Sequence, residues 1–341
     1  MKSFAHLSLH TEYSIVDSVV RIDRLAERCK ARKIFAVAMT DLTNLFACWQ
    51  FQHKLRAKGV KPVFGADVRV LDGTENRDQL LLLAKDQDGL RNLYKLMTIA
   101  YTKYEIHSCI TMQQLSTYAD GLIALSGGIQ GKIGRLITNS DIEGATQAAS
   151  EFSQIFSNRF YLELTRTGWD QEEAYITHAV DLAQELRIPL VATNEVRFVD
   201  QSDYSAHETR YCVAHKQRIG NGTHEKFYSE QQYLRSPKEM SELFKDLPDA
   251  LENANEIAKR CTVEIPSGRY LPQFRTERTG RPEELIDEIA HERLNAVFDA
   301  DEKTNKQISD REVYLHRLRT ELEVIKQMGF AGYFLIVGDI V

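Results

Sequence analysis

Short apolar runs that alternate with amphipathic segments constrain the fold of this chain more than any other feature. Seven runs have the length and composition of buried β-strands: Phe4–Leu9, Ile34–Met39, Val63–Leu71, Gln79–Ala84, Leu122–Leu125, Phe160–Leu164 and Leu190–Ala192. Six segments have helical character: Arg21–Arg32, Asn44–Lys58, Leu90–Lys103, Ile142–Ile155, Glu172–Glu185 and Tyr204–His215. Strands separated by helices predict a mainly parallel sheet. Seven strands are enough to close a distorted barrel of the TIM type, and a doubly wound open sheet is the alternative.

The last quarter of the chain has a different pattern. Val263–Pro266 and Tyr270–Phe274 predict an extended crossover, and Glu283–Phe298 and Ser309–Met328 predict two long charged helices. In the helix predicted at Ser309–Met328, a stripe of apolar residues at helical spacing predicts a buried face. The stripe consists of Tyr314, Leu315, Leu318, Leu322 and Ile325. The apolar run 329–337 needs a partner to bury it. We therefore expect a fragment of a longer protein, with an exposed apolar surface near its end.

Composition excludes some classes of protein. The net charge of −6 argues against a surface that is one nucleic-acid groove, because phosphate binding needs clustered Lys and Arg. The five cysteines have no C-x-x-C spacing and are expected to be reduced structural thiols. The N-terminus lacks the apolar region of a signal peptide, and no apolar run approaches the roughly 20 residues that span a bilayer. We expect a soluble, cytoplasmic protein without a membrane partner.

Several polar residues follow apolar runs, at positions where a parallel α/β barrel gathers its chemistry. They are His10, Asp17, Asp41, Asp67, Glu163 and Glu195. An oxygen-rich cluster with one imidazole suits Mg²⁺ or Mn²⁺, so the pattern indicates a metal-dependent phosphoesterase centre. However, the segment His6-Leu-Ser-Leu-His10 carries Ser8 where an H-x-H metal site would have its first ligand.

Each of these residues also has a structural explanation. Asp17 or Ser18 can cap the first helix and Asp41 the second. Asp67 can pair with Arg69 or Arg197, and Glu195 can pair with Arg197, so we expect Arg197 to form an ion pair with Asp67 or Glu195. A cation inside the cluster repels a divalent ion and neutralises its carboxylates, so Arg197 is the strongest argument against a metal. The glycine-rich stretch 127–132 can cradle a phosphate or form a turn that needs positive φ. His207 and His215 are interpreted as structural or surface residues.

Several stretches of the sequence together resemble the N-terminal region of the alpha (polymerase) subunit of bacterial DNA polymerase III. The stretches that carry the resemblance include HLSLHTEYSIVDS, AMTDLTNLFACWQF, KPVFGADVRV, GLIALSGG, LVATNEVRFVD and ELEVIKQMGFAGYFLIV. They run in the family's order over essentially the whole chain. The resemblance implies a polymerase-and-histidinol-phosphatase (PHP) domain at residues 1–270, a distorted (βα)7 barrel. It implies that residues 271–341 are a linker and the truncated start of the polymerase palm.

The resemblance also implies that most metal ligands of the PHP cleft have been replaced. The first motif reads Ser8-Leu-His10, Asp17 is kept, and Asp41 is followed by Leu42 where the family has His. Asp67 occupies a position where the family has Glu. Gln79 occupies a position where it has His, and Gly128 a position where it has Cys. The last motif, Asp-x-His in the family, reads Glu195-Val-Arg197. This pattern predicts a vestigial cleft without a metal. It also predicts that none of the 341 residues of this chain is catalytic.

The function implied by the resemblance is DNA replication. The PHP domain would be a scaffold and a docking site for the proofreading 3′–5′ exonuclease subunit. Other replicase subunits, the sliding clamp, DNA and Mg²⁺ would belong to the full-length polymerase, while this part of the chain would bind no cofactor and extend no primer. The alternative is a residual phosphoesterase in the PHP cleft, acting on pyrophosphate or a DNA 3′ end. A free-standing histidinol-phosphate-type phosphatase is disfavoured by the polymerase-like tail.

Overall fold

A computed structural model describes residues 3–71, 76–103, 108–218, 228–266, 268, 274, 280–303 and 310–340. The chain divides into two compact units, Met1–Ile265 and Pro266–Val341. The predicted domain boundary at residue 270 lies outside the described residues, as does most of the predicted extended stretch 270–274. The assignment of 1–270 and 271–341 as domains therefore stays a prediction.

The first unit is built on a curled sheet of seven strands within the described residues. They are β1 (Ala36–Met39), β2 (Lys61–Leu71), β3 (Arg77–Ala84), β4 (Ile110–Thr111), β5 (Leu122–Leu125), β6 (Phe160–Thr165) and β7 (Leu190–Thr193). The order is β1-β2-β3-β5-β6-β7, and β4 pairs with β2 at its side. Four pairings are parallel, but β3 is antiparallel to both β2 and β5. The chain passes from β2 to β3 through five residues, too few for the crossover that a parallel pair requires.

The residues before β1 bring the two ends of the sheet together. The predicted first strand, Phe4–Leu9, is an extended segment held by isolated bridges to Val37 on one side and to Val196 on the other. Its backbone bonds include Ala38 N to His6 O at 2.7 Å and His10 N to Val196 O at 3.0 Å. This segment therefore lies between β1 and the residues that follow β7, which confirms the predicted α/β fold with a distorted TIM-like barrel.

Ten α-helices in the described part of this unit surround or flank the sheet. They are α1 (Ile22–Ala31), α2 (Cys48–Ala57), α3 (Gln87–Lys103), α4 (Met112–Thr117), α5 (Lys132–Thr138), α6 (Ile142–Ile155), α7 (Glu172–Leu186), α8 (Tyr204–Ala214), α9 (Pro237–Leu243) and α10 (Pro248–Arg260). The six predicted helices correspond to α1, α2, α3, α6, α7 and α8, whereas α4, α5, α9, α10 and strand β4 were not predicted. Three of these helices and β4 are too short for a clear period.

Neither Asp17 nor Ser18, the two residues predicted to cap α1, caps this helix. The helix begins after Arg21, which provides no side-chain cap. Ser18 instead donates its Oγ proton towards His10 O at 2.6 Å and Arg197 O at 2.9 Å, and Asp17 pairs with the His10 ring. Both residues hold the loop after the first segment against the barrel.

The start of α2 is also later than predicted. Asn44 was expected to open the helix, but its side chain accepts from Phe46 N at 3.2 Å and donates to Leu42 O at 3.1 Å. These local bonds form a turn, which competes with helix at residues of this type. The helix therefore begins at Cys48.

The second unit contains three described helices, α11 (Pro282–Lys303), α12 (Arg311–Gln327) and α13 (Ala331–Ile340). The predicted start of α12 at Ser309 lies outside the described residues. In the predicted stripe Leu322 is buried and Leu318 and Ile325 are partly buried against Leu285 and Leu335. Tyr314 is 52% exposed, so the stripe is a buried face only in the second half of the helix. None of the helices described is long and apolar enough to cross a membrane.

Candidate functional site

His10 is the centre of a buried polar cluster beside the ends of the strands. Its side chain is 1% exposed, and its Nδ1 atom pairs with Asp17 Oδ2 in the following loop. Its Nε2 atom lies 3.3 Å from Oδ2 of Asp67, a buried residue of β2. That separation is within ion-pair range, but the geometry is not that of a hydrogen bond, so Nε2 has no hydrogen-bond partner among the described residues.

Arg197 lies inside this cluster, as the sequence suggested, but its ion-pair partner differs from the expected one. Asp67 or Glu195 was predicted, whereas Nε of Arg197 lies 3.4 Å from Oδ2 of Asp17. The loop geometry explains the difference, because Val19 N donates to Arg197 O at 3.1 Å. That backbone bond places the loop that carries Asp17 directly against Arg197.

Asp17, His10 and Arg197 stabilise one another in their charged forms. Burial raises the pKa of Asp17, but Arg197 and His10 outweigh it and hold that pKa well below its ordinary value. Burial and Arg197 lower the pKa of His10, while Asp17 and Asp67 outweigh them and raise it. Burial also lowers the pKa of Arg197, which the surrounding carboxylates raise above its ordinary value. The cluster therefore contains an imidazolium and a guanidinium against ionised Asp17.

Asp41 has a structural role, although not the predicted helix cap. It is fully buried, and its oxygens accept from Thr11 N at 2.6 Å, Thr11 Oγ at 2.7 Å and Ser14 Oγ at 2.6 Å. These three bonds hold the turn after His10 in place. Asp41 is therefore a structural residue, because the turn that it holds fixes the position of His10.

Glu163 and Glu195 add two more buried carboxyl groups. Glu163 on β6 accepts from Thr193 Oγ at 2.7 Å and from Gly127 N at 3.1 Å. Burial, with Glu195 and Asp67 nearby, raises the pKa of Glu163 to about 8. Burial also raises the pKa of Glu195, which adopts a left-handed backbone at φ 42°. A non-glycine residue in that region is strained, as residues at functional sites often are.

Three further predicted positions line the strand ends without supplying a ligand. Ser8 is 2% exposed, and its carbonyl accepts from Val196 N at 3.0 Å. Gln79 is 4% exposed on β3. Any residue other than glycine at position 127 would place its Cβ atom 2.4 Å from the backbone oxygen of Gln79, and Gly127 has a positive φ of 79°. Gly128 also has positive φ, at 54°. The glycine-rich stretch is therefore required by a tight turn, and the Gly127 N–H is already bound to Glu163.

Two residues of the cluster were missed by sequence reasoning. Tyr228 donates its hydroxyl proton to Asp17 Oδ1, and Gln232 Nε2 donates to Glu195 Oε2 at 3.2 Å. Both come from a polar stretch with no periodicity or motif, so no signal in the sequence marked them. His207 was interpreted as structural or surface, and it is fully buried with Nε2 3.0 Å from Asp17 O.

Comparison with known proteins shows which families this chain resembles. Residues 6–167 match the PHP domain family, and residues 283–341 match the bacterial DNA polymerase III alpha NTPase domain family. The DNA polymerase III subunit alpha of Pseudomonas aeruginosa is 40% identical over 350 residues, which cover 99% of this chain and 30% of that relative. The corresponding subunit of Escherichia coli K12 is 39% identical over 347 residues, with the same coverage. This chain belongs to the DNA polymerase III alpha-subunit family. It spans about 30% of the length of these relatives.

Two solved structures are more distantly similar. One is a putative metal-dependent phosphoesterase from Bifidobacterium adolescentis, with 10% identity and a TM-score of 0.38 over 57% of this chain and 87% of that one. The other is an amidohydrolase from Chromobacterium violaceum, with 10% identity and a TM-score of 0.41 over 60% of this chain and 96% of that one.

The residues of the PHP cleft do not fit the metal that a PHP fold implies. The resemblance described above leads us to expect imidazoles at the positions of Ser8, Leu42 and Arg197. In the structure the Arg197 guanidinium, with Nε 3.4 Å from Asp17 Oδ2, repels a divalent ion. Across the described residues, no group of three or more His, Cys, Asp or Glu side chains is arranged to hold a metal ion. The positive charge that the carboxylates require is supplied by Arg197 and His10.

Proposed function

We propose that this chain is the N-terminal region of a replicative DNA polymerase subunit, and that its PHP domain is a scaffold without its own hydrolytic activity. The observation that carries the proposal is the Arg197–Asp17–His10 arrangement, in which protein side chains neutralise a buried acidic cleft. Identity of about 40% over 99% of the chain supports the assignment to replication. Catalysis in the cleft would need groups that these contacts already occupy.

The remaining roles are proposed for the longer protein. Its relatives are named DNA polymerase III subunit alpha, and this chain corresponds to 30% of their length. We propose that the longer protein is a DNA-directed DNA polymerase of the cytoplasm, which acts on DNA with Mg²⁺. Mg²⁺ held by carboxylates would stabilise the charge that develops on the transferred phosphoryl group. Its other partners would be the sliding clamp and further replicase subunits.

We also propose that the PHP domain binds the proofreading 3′–5′ exonuclease subunit. The support is a fold whose core is retained while its cleft is neutralised from within, which is expected when a domain is kept for its surface. Tagged protein of residues 1–341 is expected to retain the purified exonuclease subunit on a column as well as the longer polymerase does. If the longer protein retains the subunit and residues 1–341 do not, the docking surface lies elsewhere.

A residual phosphoesterase is the second candidate function. Glu195 and Asp67 add to the raised pKa of Glu163, and Asp67 adds to the raised pKa of Glu195, so the three side chains lie close together. Asp67 Oδ1 and His10 Nε2 are buried and have no hydrogen-bond partner among the described residues. Oxygen atoms and one imidazole in such positions are potential ligands for Mg²⁺ or Mn²⁺.

Calorimetry and a phosphatase assay distinguish the two functions. We expect titration of residues 1–341 with Mn²⁺ to give no micromolar binding, because Arg197 repels the ion. We also expect no Mn²⁺-dependent release of phosphate from pyrophosphate or from a DNA 3′-phosphate. Hydrolysis that requires Mn²⁺ and disappears in His10→Ala, while the exposed control His178→Ala retains it, would establish the phosphoesterase instead.

A further inference from the structure

Residues 228–232, here called the strap, cross the side of the barrel at which the strands end. Ser229 Oγ donates to Thr167 O, in the loop that follows β6. Gln232 O accepts from Arg197 N at 2.8 Å, just beyond the end of β7. The strap therefore joins the loops that follow two neighbouring strands, and a parallel barrel has its cleft on that side.

Two strap side chains reach the carboxylates of the cleft. Tyr228 donates its hydroxyl proton to Asp17, and Gln232 donates through Nε2 to Glu195 at 3.2 Å. The ring of Tyr228 also meets the ring of His207 edge-on, with centroids 4.5 Å apart. Gln232 is 2% exposed, so its amide lies inside the cleft. Neutral donors of the strap thus occupy one oxygen of each of these two carboxyl groups.

The groups beneath the strap are isolated from solvent although they are highly polar. His10 and Asp67 are each 1% exposed and Arg197 is 5% exposed. Nε and Nη1 of Arg197 have no hydrogen-bond partner among the described residues. Buried N–H donors without hydrogen bonds are costly, so the Arg197 guanidinium would gain contacts with water or anions if the cleft were open.

We propose that the strap is a built-in cover that closes the PHP cleft to ions and phosphate-bearing molecules, through the contacts of Tyr228 with Asp17 and of Gln232 with Glu195. This goes beyond the loss of metal ligands, because it is a second and independent barrier. A cleft with restored ligands would still be closed. Closure also explains how an acidic cluster with an arginine inside it stays shielded from solvent anions.

Chemical modification of Arg197 measures whether the cleft is covered. Residues 1–341 are treated with phenylglyoxal, and adducts are quantified at each arginine by mass spectrometry of peptides. Arg91, which is 70% exposed, reports the rate for an open guanidinium. Arg159, which is 17% exposed and bound to Ala119 O and Leu122 O, reports general loosening of the fold. In the wild-type protein Arg197 is expected to react far more slowly than Arg91.

Two conservative variants open the strap without enlarging any side chain. Tyr228→Phe removes the hydroxyl that donates to Asp17. Gln232→Met removes the amide that donates to Glu195 together with the oxygen that accepts from Ser229 N within the strap. Each is expected to raise the rate at Arg197 about tenfold, since a hydrogen bond to a charged group is lost. The rate at Arg159 is expected to stay unchanged. Tyr233→Phe is the matched control, because its hydroxyl bonds Glu239 outside the strap.

Each outcome decides the proposal. It is overturned if Arg197 reacts as fast as Arg91 in the wild-type protein, since the cleft is then open. It is also overturned if the Tyr228→Phe and Gln232→Met double variant reacts at the wild-type rate. A parallel rise at Arg159 would assign the effect to unfolding, and would equally overturn a role specific to the strap. If Tyr228→Phe lowers the helical circular dichroism signal, Gln232→Met alone decides.

Discussion

Replacement of Arg197 by leucine is expected to lower the free energy of unfolding of the first unit by about 3–5 kcal/mol, the usual cost of removing one partner from a buried ion pair. Arg197 is 5% exposed, and Asp17 beside it would keep its charge with one cation fewer. Both tryptophans, Trp49 and Trp169, lie within the first unit. Urea denaturation followed by tryptophan fluorescence therefore reports on the unit that contains the cleft.

A surface arginine and a double-mutant cycle make this test specific. Arg91→Leu removes an exposed ion pair with Asp88 and is expected to change the free energy of unfolding by less than about 0.5 kcal/mol. Asp17→Asn combined with Arg197→Leu is expected to cost less than the sum of the single changes, because the pair is removed as a unit. A loss below about 1 kcal/mol for Arg197→Leu would mean that protons, and not Arg197, neutralise the cleft.

Glu163→Gln is expected to make the protein more stable than the wild type at pH 9, by on the order of 5 kcal/mol. The pKa of Glu163 is raised to about 8 by burial, whereas the ordinary value is 4.5. Between these values the folded protein keeps a proton that the unfolded chain releases. The wild-type free energy of unfolding therefore falls as the pH rises from about 5 to about 8. Glutamine does not ionise, so this part of the pH dependence disappears.

The comparison is made by urea denaturation at pH 5, 7 and 9. At pH 5 the two proteins are expected to be similar, because Glu163 is protonated and the glutamine oxygen can accept from Gly127 N while its amide donates to Thr193 Oγ. The control Glu252→Gln, at an exposed position of α10, is expected to leave the wild-type pH profile unchanged. Parallel profiles for Glu163→Gln and the wild type would show that Glu163 is ionised at neutral pH. His10 adds to the same trend, since its raised pKa supplies stability that is lost as the pH rises above 6.5.

The sequence by itself determined most of the secondary structure and the composition of the cleft. Predicted helix Ile142–Ile155 and predicted strand Leu122–Leu125 have the bounds that the structure gives them. Apolar periodicity acts over a few residues, so it can be read without knowledge of the fold. The same local pattern placed polar residues at the ends of strands, and it identified Arg197 as a cation among carboxylates.

Only the tertiary structure decided which of these groups meet. The direction of β3, the pairing of Arg197 with Asp17, and the strap contacts of Tyr228 and Gln232 all join residues that are distant in the sequence. Asp41 illustrates the same limit, because its bonds to Thr11 and Ser14 depend on how the first segment lies beside β1. Such contacts follow from the packing of the whole barrel, whereas the local pattern specifies only the elements that pack. The physical reason is that hydrophobic burial is non-directional, and partners among buried polar groups are selected by the final geometry.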